Sequence, residues 1–290
     1  MPAEIFDPQG KLLKNIERVS DFVNDKDIGP ILTEINPANA CNAVCGFCRF
    51  TALHKPQFID KAVMLRTLES MKNLGLKACN WSGGGEPVMH PNIHEFFAKA
   101  NGLGIEQGIF TNGISFTEKV VDEFMNFKWI RVSLDSGSRE VYKTARGVDS
   151  FDSVVSNMKR LVKKRAETGS KVILGSVLTI DQSNKHDIDN FTRIVKETGF
   201  NYAQMRPATR PTFQQQPKEH ILEYQAAAKQ AKEKHLLCLH NRQQCQRRLC
   251  GGLMLQHFNQ GESCRRHPHC NRLSLLSFIT APVKENVDYA

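Results

Sequence analysis

Short segments with the character of β-strands alternate with amphipathic helical segments along most of this chain. Apolar residues from Phe151 to Val162 recur at the three- and four-residue spacing of a buried helix face, and five other segments share this pattern. Six strand-like segments precede the helices, at residues 30–35, 77–82, 105–111, 129–135, 171–179 and 202–206. Six strand–helix units in succession predict a parallel sheet with helices on its outer face. Because six units are too few for an eight-stranded barrel, we expect an α/β fold in the form of a partial (β/α)6 barrel.

The composition of the chain changes near residue 237. The predicted barrel occupies residues 30–236 and follows a lead-in of residues 1–29. Residues 237–290 form a short extension that is rich in Cys, His and Arg and shows no clear strand pattern. We therefore expect the extension to be poorly ordered.

Composition also narrows the class of protein. The 290 residues include no run of 18 apolar residues, and no apolar segment follows Met1, so we expect neither a membrane span nor a secretory signal. Nine cysteines without such a signal indicate metal binding in a reducing compartment, and they predict a cytoplasmic protein. Cys79, inside the second predicted strand, is expected to be a buried and inert thiol. The net charge of +9 favours an anionic partner, such as nucleic acid or a phosphorylated substrate.

Three cysteines with C-x3-C-x2-C spacing follow the first predicted strand. Cys41, Cys45 and Cys48 lie within eight residues, so their loop must wrap around whatever they bind, and we expect Gly46 to give the backbone freedom for that wrap. Cysteine thiolates are the usual ligands of iron–sulfur clusters, and a cubane held by only three of them keeps one iron open. A zinc site completed by His54 and a set of unliganded thiols are the alternatives.

A glycine run opens directly after the second predicted strand. Residues 83–87 read Gly-Gly-Gly-Glu-Pro, and glycine lets a ligand approach the main chain closely. The run lacks both the Lys-Ser/Thr ending of a P-loop and the G-x-G-x-x-G spacing of a dinucleotide fold. A plain turn is the alternative interpretation.

Ligand sites of parallel α/β sheets lie at the carboxyl ends of the strands. The polar and glycine-rich residues of this chain follow the predicted strands, so we expect them to meet at one rim. Besides the three cysteines and the glycine run, they are Thr111, Asn112, Ser133, Asp135 and Arg206.

The cysteine loop, the glycine run and the six strand–helix units together resemble the radical S-adenosylmethionine (radical SAM) enzymes over about residues 28–210. In that family the three cysteines hold a [4Fe–4S] cluster whose open iron is chelated by SAM. The reduced cluster cleaves SAM to methionine and a 5′-deoxyadenosyl radical, which abstracts hydrogen from the substrate. The resemblance implies the partial barrel of this family and a cluster on Cys41, Cys45 and Cys48. It also implies a low-potential electron donor of flavodoxin or ferredoxin type and a small-molecule or peptide substrate.

The resemblance further assigns residues to SAM. Those expected at the cofactor are Gly83, Gly84, Gly85, Glu86, Ser133, Asp135 and Arg146. The glycine run and Glu86 would lie at the methionine amino group, and Ser133 with Asp135 at the ribose and methionine part. Arg146 would pair with the SAM carboxylate, and a surface arginine is the alternative. Asn112 would face substrate or cofactor, or else only form an Asn-Gly turn.

Two further interpretations concern the extension. Relatives of such a core often bind additional clusters through C-terminal cysteines, so the extension is a candidate for an auxiliary iron–sulfur cluster. Its cysteines are Cys238, Cys245, Cys250, Cys264 and Cys270. The alternative function for the whole chain is a non-enzymatic zinc- or cluster-binding module, whose basic Cys/His-rich extension contacts nucleic acid.

Overall fold

Six parallel strands form the centre of the computed structural model, which describes residues 15–208, 218–235, 239–241 and 278–279. The strands are β1 (Leu32–Ile35), β2 (Ala78–Trp81), β3 (Glu106–Thr111), β4 (Trp129–Ser133), β5 (Ile173–Ile180) and β6 (Tyr202–Pro207). Each of them begins and ends within two residues of the bounds predicted from the sequence.

Helices follow the strands in the expected alternation. Those of the described residues are α1 (Ile16–Val23), α2 (Lys61–Asn73), α3 (Ile93–Gly102), α4 (Glu118–Phe124), α5 (Arg139–Arg146), α6 (Phe151–Thr168), α7 (Ile188–Thr198) and α8 (Lys218–His235). The sequence pattern did not predict α1, which lies in the lead-in, or α5. Length is not the reason, because α4 has only seven residues and was predicted from its apolar residues. In α5 four of the eight residues are charged, so few apolar residues mark its buried face. In the described part of the chain, no helix has the length and hydropathy that crossing a membrane requires.

Two further, short strands are β7 (Leu239–Asn241) and β8 (Phe278–Ile279). All eight strands pair in the linear order β7-β6-β5-β4-β3-β2-β1-β8, with β7 and β8 at the ends, and every pair is parallel. The six central strands with their outer helices confirm the predicted partial barrel.

The extension departs from its prediction at two places. The sequence of residues 237–290 shows no clear strand pattern, yet β7 and β8 lie within it. Strands of three and two residues are too short for a period-two pattern to appear in the sequence. The expected poor order of the extension and the auxiliary cluster on its five cysteines fall on residues outside the described ones.

The face of the sheet toward the helices is apolar and closely packed. Trp81 of β2 is fully buried against Phe96 and Phe97 of α3, with ring centroids 6.5 and 5.2 Å away. Its indole N–H donates to Gln107 Oε1 of β3 at 2.9 Å, which satisfies the polar atom of the buried indole. Because side chains alternate along a strand, Gln107 on this outer face places Phe110 on the inner face.

Local signals fix where the helices begin and end. The Asp60 side chain accepts a hydrogen bond from the Val63 N–H at 2.9 Å and so caps the start of α2. Gly75, with φ of +91°, follows the end of that helix, as the sequence predicted. Gly147, with φ of +69°, ends α5 in the same way.

Candidate active site

One cavity of about 500 Å³ lies at the carboxyl ends of the strands. Its wall brings together the residues that the sequence placed at a common rim. They are Cys41, Cys45, Cys48, Gly83, Gly84, Gly85, Glu86, Thr111, Asn112, Ser133, Asp135 and Arg206, and Arg146 joins them. The rule that ligand sites of parallel sheets lie at the carboxyl ends of the strands therefore located the cavity correctly from the sequence.

The carboxyl end of α5 holds the cysteine loop in place. The Val44 N–H donates to the Arg146 carbonyl at 3.0 Å, and the Gly46 N–H donates to the Ala145 carbonyl at 3.3 Å. At Gly147 a Cβ atom would lie 2.4 Å from the Val44 carbonyl oxygen, so this contact and the positive φ both require glycine. Helix α5, which the sequence pattern missed, thus positions the loop that carries the three thiols.

Gly46 does not have the role that the sequence suggested. It is not among the glycines with positive φ, and a Cβ atom there would meet nothing within 4 Å. The expectation that Gly46 supplies special backbone freedom was therefore wrong. The glycine that the cysteine loop does require is Gly147, which contacts Val44 of the loop from a position about a hundred residues later in the chain.

Burial controls the protonation of two of the three thiols. It raises the pKa of Cys41, and it raises the pKa of Cys45 to about 12. The positive charge of Arg146 lowers the pKa of both thiols but is outweighed. A metal centre that binds Cys45 must therefore displace its proton.

The three cysteines line one cavity. Among the described residues, no three His, Cys, Asp or Glu side chains are arranged to hold a metal ion, so the assignment of the thiols as ligands stays a prediction. In an iron–sulfur cubane each cysteine binds a different iron, so the three cysteines need to line a common cavity. His54, the fourth ligand in the zinc alternative, lies with Nε2 2.8 Å from the Gly84 carbonyl oxygen. Since a carbonyl oxygen only accepts, this ring nitrogen carries the proton and donates.

The glycine run is joined to the segment that leads into the cysteine loop. The Gly85 N–H donates to the Ala38 carbonyl at 3.1 Å, and the Glu86 N–H donates to the Ala40 carbonyl at 2.8 Å. A Cβ atom at Gly85 would lie 2.1 Å from the Ala40 carbonyl oxygen. Glycine is therefore required here by the close approach of two backbones, which a plain turn does not explain.

The Glu86 carboxylate links the ends of β2 and β3. It is only 3% exposed, Oε1 accepts from the Thr111 hydroxyl at 2.7 Å, and Oε2 accepts from the Asn112 N–H at 2.6 Å. Burial raises the pKa of Glu86, although these hydrogen bonds and the Arg146 charge act to lower it. Glu86 thus braces the cavity wall, and its contact with the SAM amino group stays a prediction.

A buried ion pair joins Asp135 to Arg146. The Arg146 Nη1 donates to Asp135 Oδ2 at 2.8 Å, and the two residues are 5% and 0% exposed. The alternative of a surface arginine was therefore wrong. Burial acts to lower the pKa of Arg146, but Asp135 and other neighbours outweigh it and raise that pKa. The roles of this pair and of half-buried Ser133 toward SAM stay predictions.

Two residues that support Asp135 were missed by sequence reasoning. The Thr179 N–H donates to Asp135 Oδ1 at 2.5 Å, and the Asn184 side chain donates to the Asp135 carbonyl at 3.0 Å. Thr179 is the last residue of the fifth predicted strand, so its place at a carboxyl end would have indicated it as a site residue. Asn184 lies in a loop, and nothing in the sequence pattern points to its contact.

Comparisons with known proteins agree with this arrangement. A family model described as the radical SAM superfamily matches residues 35–193. Mycofactocin maturase MftC of Mycobacterium tuberculosis is 26% identical over 212 residues, which cover 71% of this chain and 50% of that protein. An S-adenosylmethionine-dependent nucleotide dehydratase of Flammeovirga pacifica is 27% identical over 176 residues, which cover 58% of this chain and 60% of that protein. The chain spans about half the length of the curated relatives that it matches.

Solved structures share the fold. Streptococcus suis SuiB bound to its precursor peptide SuiA superposes with a TM-score of 0.61 at 18% identity, over 80% of this chain and 53% of that chain. SuiB bound to S-adenosylmethionine superposes with a TM-score of 0.58 at the same identity, over 80% and 52% of the two chains.

Proposed function

Since this chain belongs to the radical SAM superfamily, we propose that it uses a [4Fe–4S] cluster to cleave SAM reductively and abstract a hydrogen atom from a substrate. The observation that carries the proposal is one cavity that Cys41, Cys45, Cys48 and the glycine run line together. Radical chemistry at such a site depends on a cofactor, because cofactors carry the reactions for which protein side chains lack the chemistry.

The residues of the cavity fit both groups. Three thiols from one loop match a cubane that keeps one iron free. The volume of about 500 Å³ is within the usual range for small-molecule sites, about 300–1,000 Å³. When bound, the cluster and SAM supply the electron transfer and the radical hydrogen abstraction.

The side chains of this chain would bind and orient those groups. Cys41, Cys45 and Cys48 would hold the cluster, and the backbone of the glycine run with Glu86 would receive the SAM amino group. Arg146, oriented by its ion pair with Asp135, would meet the SAM carboxylate. Ser133 would contact the ribose and methionine part.

The substrate and the electron donor belong to the same proposal. The names of the relatives indicate two substrate classes, a precursor peptide for SuiB and a nucleotide for the dehydratase. A small molecule or a peptide is accordingly the proposed substrate class. Reduction of the cluster at low potential requires an electron donor of flavodoxin or ferredoxin type. An auxiliary cluster on the cysteines of the extension would add iron beyond one cubane.

Anaerobic reconstitution with iron and sulfide, followed by SAM and dithionite, tests the proposal. We expect a brown protein with about four irons per chain, as one cubane requires, and 5′-deoxyadenosine among the products by chromatography and mass spectrometry. A colourless zinc protein would instead support the non-enzymatic alternative. A loaded cluster that yields no 5′-deoxyadenosine would refute the enzymatic proposal.

Alanine variants of the three cysteines test the ligand assignment. Cys41→Ala, Cys45→Ala and Cys48→Ala should each lose cluster loading. Cys79→Ala is the matched control, because Cys79 is a free thiol that is fully buried in β2 and lines no part of the cavity. Equal iron content in all four variants would remove the three cysteines as ligands.

A further inference from the structure

The cysteine loop is closed at its base by two segments that pair with each other. Ala38 of the incoming limb, residues 37–40, forms an antiparallel bridge with Phe58 of the outgoing limb, residues 54–59. Main-chain hydrogen bonds of 2.9 and 3.0 Å join the limbs beside this bridge. The three cysteines therefore lie on a closed loop whose two limbs run side by side.

The glycine run is hydrogen-bonded to both limbs. It donates two main-chain hydrogen bonds to the incoming limb, at 3.1 and 2.8 Å. From the outgoing limb, the His54 Nε2–H donates to the Gly84 carbonyl at 2.8 Å. Since His54 follows Cys48 by six residues, this bond ties the glycine run to the loop on the far side of the cysteines.

The backbone that carries His54 is itself anchored to the loop. His54 directly follows the short 3₁₀ helix Thr51–Leu53, and the Thr51 hydroxyl donates to the Cys45 carbonyl at 3.0 Å. The imidazole is half-buried in the cavity wall. His54 is thus held by the cysteine loop at its backbone and by the glycine run at its ring, so it helps to set how these two segments lie relative to each other.

In the proposed function SAM would contact both segments. Its amino group would lie at the glycine run, and the iron that it chelates would be held by the cysteine loop. A binding site works well only when its groups are held within about 0.5 Å of the productive geometry. The relative position of the loop and the glycine run should therefore decide how tightly SAM binds.

Resting on the proposed function, we propose that His54 is a positioning residue for SAM. Its hydrogen bond to the Gly84 carbonyl holds the outgoing limb against the glycine run and so fixes the distance between the cysteine loop and the backbone that receives the SAM amino group. His54 is not a cluster ligand in this proposal. Removing the bond therefore weakens SAM binding and leaves cluster loading unchanged.

The geometry of the bond makes a stereochemical test possible. It requires an N–H group at the position of Nε2. The amide nitrogen of Gln reaches about as far along its side chain as Nε2 does, whereas that of Asn, one carbon shorter, reaches only as far as Nδ1. We therefore expect His54→Gln to keep the bond and His54→Asn to lose it, although both variants remove the imidazole.

Calorimetric titration of the reconstituted, oxidised proteins with SAM tests the proposal, since an oxidised cluster does not consume SAM. The proteins are the wild type, His54→Ala, His54→Gln, His54→Asn and His94→Ala. The last is the matched control, because His94 of α3 is also half-buried but lines no part of the cavity. We expect the Ala and Asn variants of His54 to bind SAM about threefold to tenfold more weakly than the wild type, the loss typical of one hydrogen bond. The Gln variant and the control should match the wild type, and all five proteins should hold the same amount of iron.

Rescue by Gln and not by Asn supports the positioning role, because a role of the imidazole in packing alone would not distinguish the two amides. Equal SAM affinities in His54→Gln and His54→Asn, whether normal or weakened, overturn the proposal. Unchanged SAM affinity in His54→Ala, or an equal loss in His94→Ala, overturns it as well. Loss of iron from His54→Ala would make His54 a ligand of the metal centre, which also contradicts the proposal.

Nitrogen-15 NMR of the metal-free protein tests the hydrogen bond without any cofactor. The His54 ring is assigned by its absence from the spectrum of His54→Gln. At alkaline pH, where the imidazole is neutral, its proton should lie on Nε2 and exchange slowly with water, because the bond protects it. A neutral ring with its proton on Nδ1 would overturn the proposal.

The same measurements distinguish a failure of this proposal from a failure of the proposed function. If the loaded wild type binds SAM and His54→Ala binds it equally well, the positioning role of His54 fails alone. If the loaded wild type binds no SAM, the proposed function fails, and the positioning role that rests on it fails with it.

Discussion

Asp135 has a backbone conformation that few residues other than glycine adopt. Its φ is +58°, in the left-handed region, and it is fully buried. Three contacts hold it there, with Arg146 and Thr179 at the carboxylate and Asn184 at the carbonyl. A strained residue that its surroundings hold so completely is typical of a functional site.

Asp135→Asn should destabilise the protein by about 3–5 kcal/mol, because it leaves the buried charge of Arg146 without its counter-ion. Asn tolerates the left-handed backbone, so the effect reports on charge and not on strain. The measurement is urea unfolding of the metal-free protein. Asp149→Asn, which breaks the exposed pair with Arg139, is the control and should destabilise the protein far less, because water screens an exposed pair. Equal losses in the two variants would contradict a special role for the buried pair.

Cys79 gives a prediction for alkaline pH. Burial raises the pKa of this thiol from 9.0 to about 12. Below pH 9 both folded and unfolded chains keep the proton, whereas between pH 9 and 12 only the unfolded chain loses it. This contribution to stability therefore falls by about 1.4 kcal/mol for each pH unit above 9.

The comparison of wild type with Cys79→Ala isolates that contribution. The stability advantage of the wild type should be constant from pH 7 to 8.5 and should shrink between pH 9 and 10.5, as measured by urea unfolding at each pH. Cys45 is present in both proteins, so its titration contributes equally to both unfolding free energies and cancels from their difference. If the stability difference between the two proteins does not change with pH, burial does not raise the pKa of the Cys79 thiol in the folded protein.

At the scale of elements, two glycines near the site should differ in how far the same substitution destabilises the protein. Gly85→Ala forces a Cβ atom against the Ala40 carbonyl oxygen and should cost about 1–3 kcal/mol, the usual cost of overpacking. Gly46→Ala places its Cβ in open space and should change stability by less than about 0.5 kcal/mol. Thermal and urea unfolding of both variants provide the check. A neutral Gly85→Ala would mean that the cysteine loop and the glycine run do not approach as closely as described.

These glycines also show how far sequence reasoning reached. Apolar periodicity reports which face of a segment is buried, so it predicted the six strands and the longer helices to within a few residues. The position of the cavity followed, because parallel strands bring their carboxyl ends together. Which glycine is obligatory depends on an atom that approaches from elsewhere in the chain, as at Gly85 and Gly147. Strands β7 and β8 were missed because elements of three and two residues have no period to detect, and helix α5 was missed because half of its residues are charged.

At the scale of the whole molecule, both edges of the six-stranded core are covered by the C-terminal extension. β7 pairs with β6 at one edge, and β8 pairs with β1 at the other. An uncovered strand edge presents unpaired N–H and C=O groups and promotes association with other chains. The extension therefore contributes to the sheet itself, whatever its cysteines bind.

Truncation after His235 should expose both edges. We expect earlier aggregation in size-exclusion chromatography and a Tm lower by about 2–4 °C for each kcal/mol lost. Truncation after Ile279 keeps β7 and β8 and serves as the control, with wild-type behaviour expected. If both truncated proteins match the wild type, the two short strands do not stabilise the sheet.

The pairing of β8 with β1 also sets an order of events during synthesis on the ribosome. Ile35 leaves the ribosome early, but its partner Ile279 is translated 244 residues later. At about 5–20 residues per second, the outer edge of the first strand waits roughly ten seconds to a minute for its neighbour. During that interval the nascent chain carries an open strand edge, whose backbone groups are available for pairing with a neighbouring nascent chain.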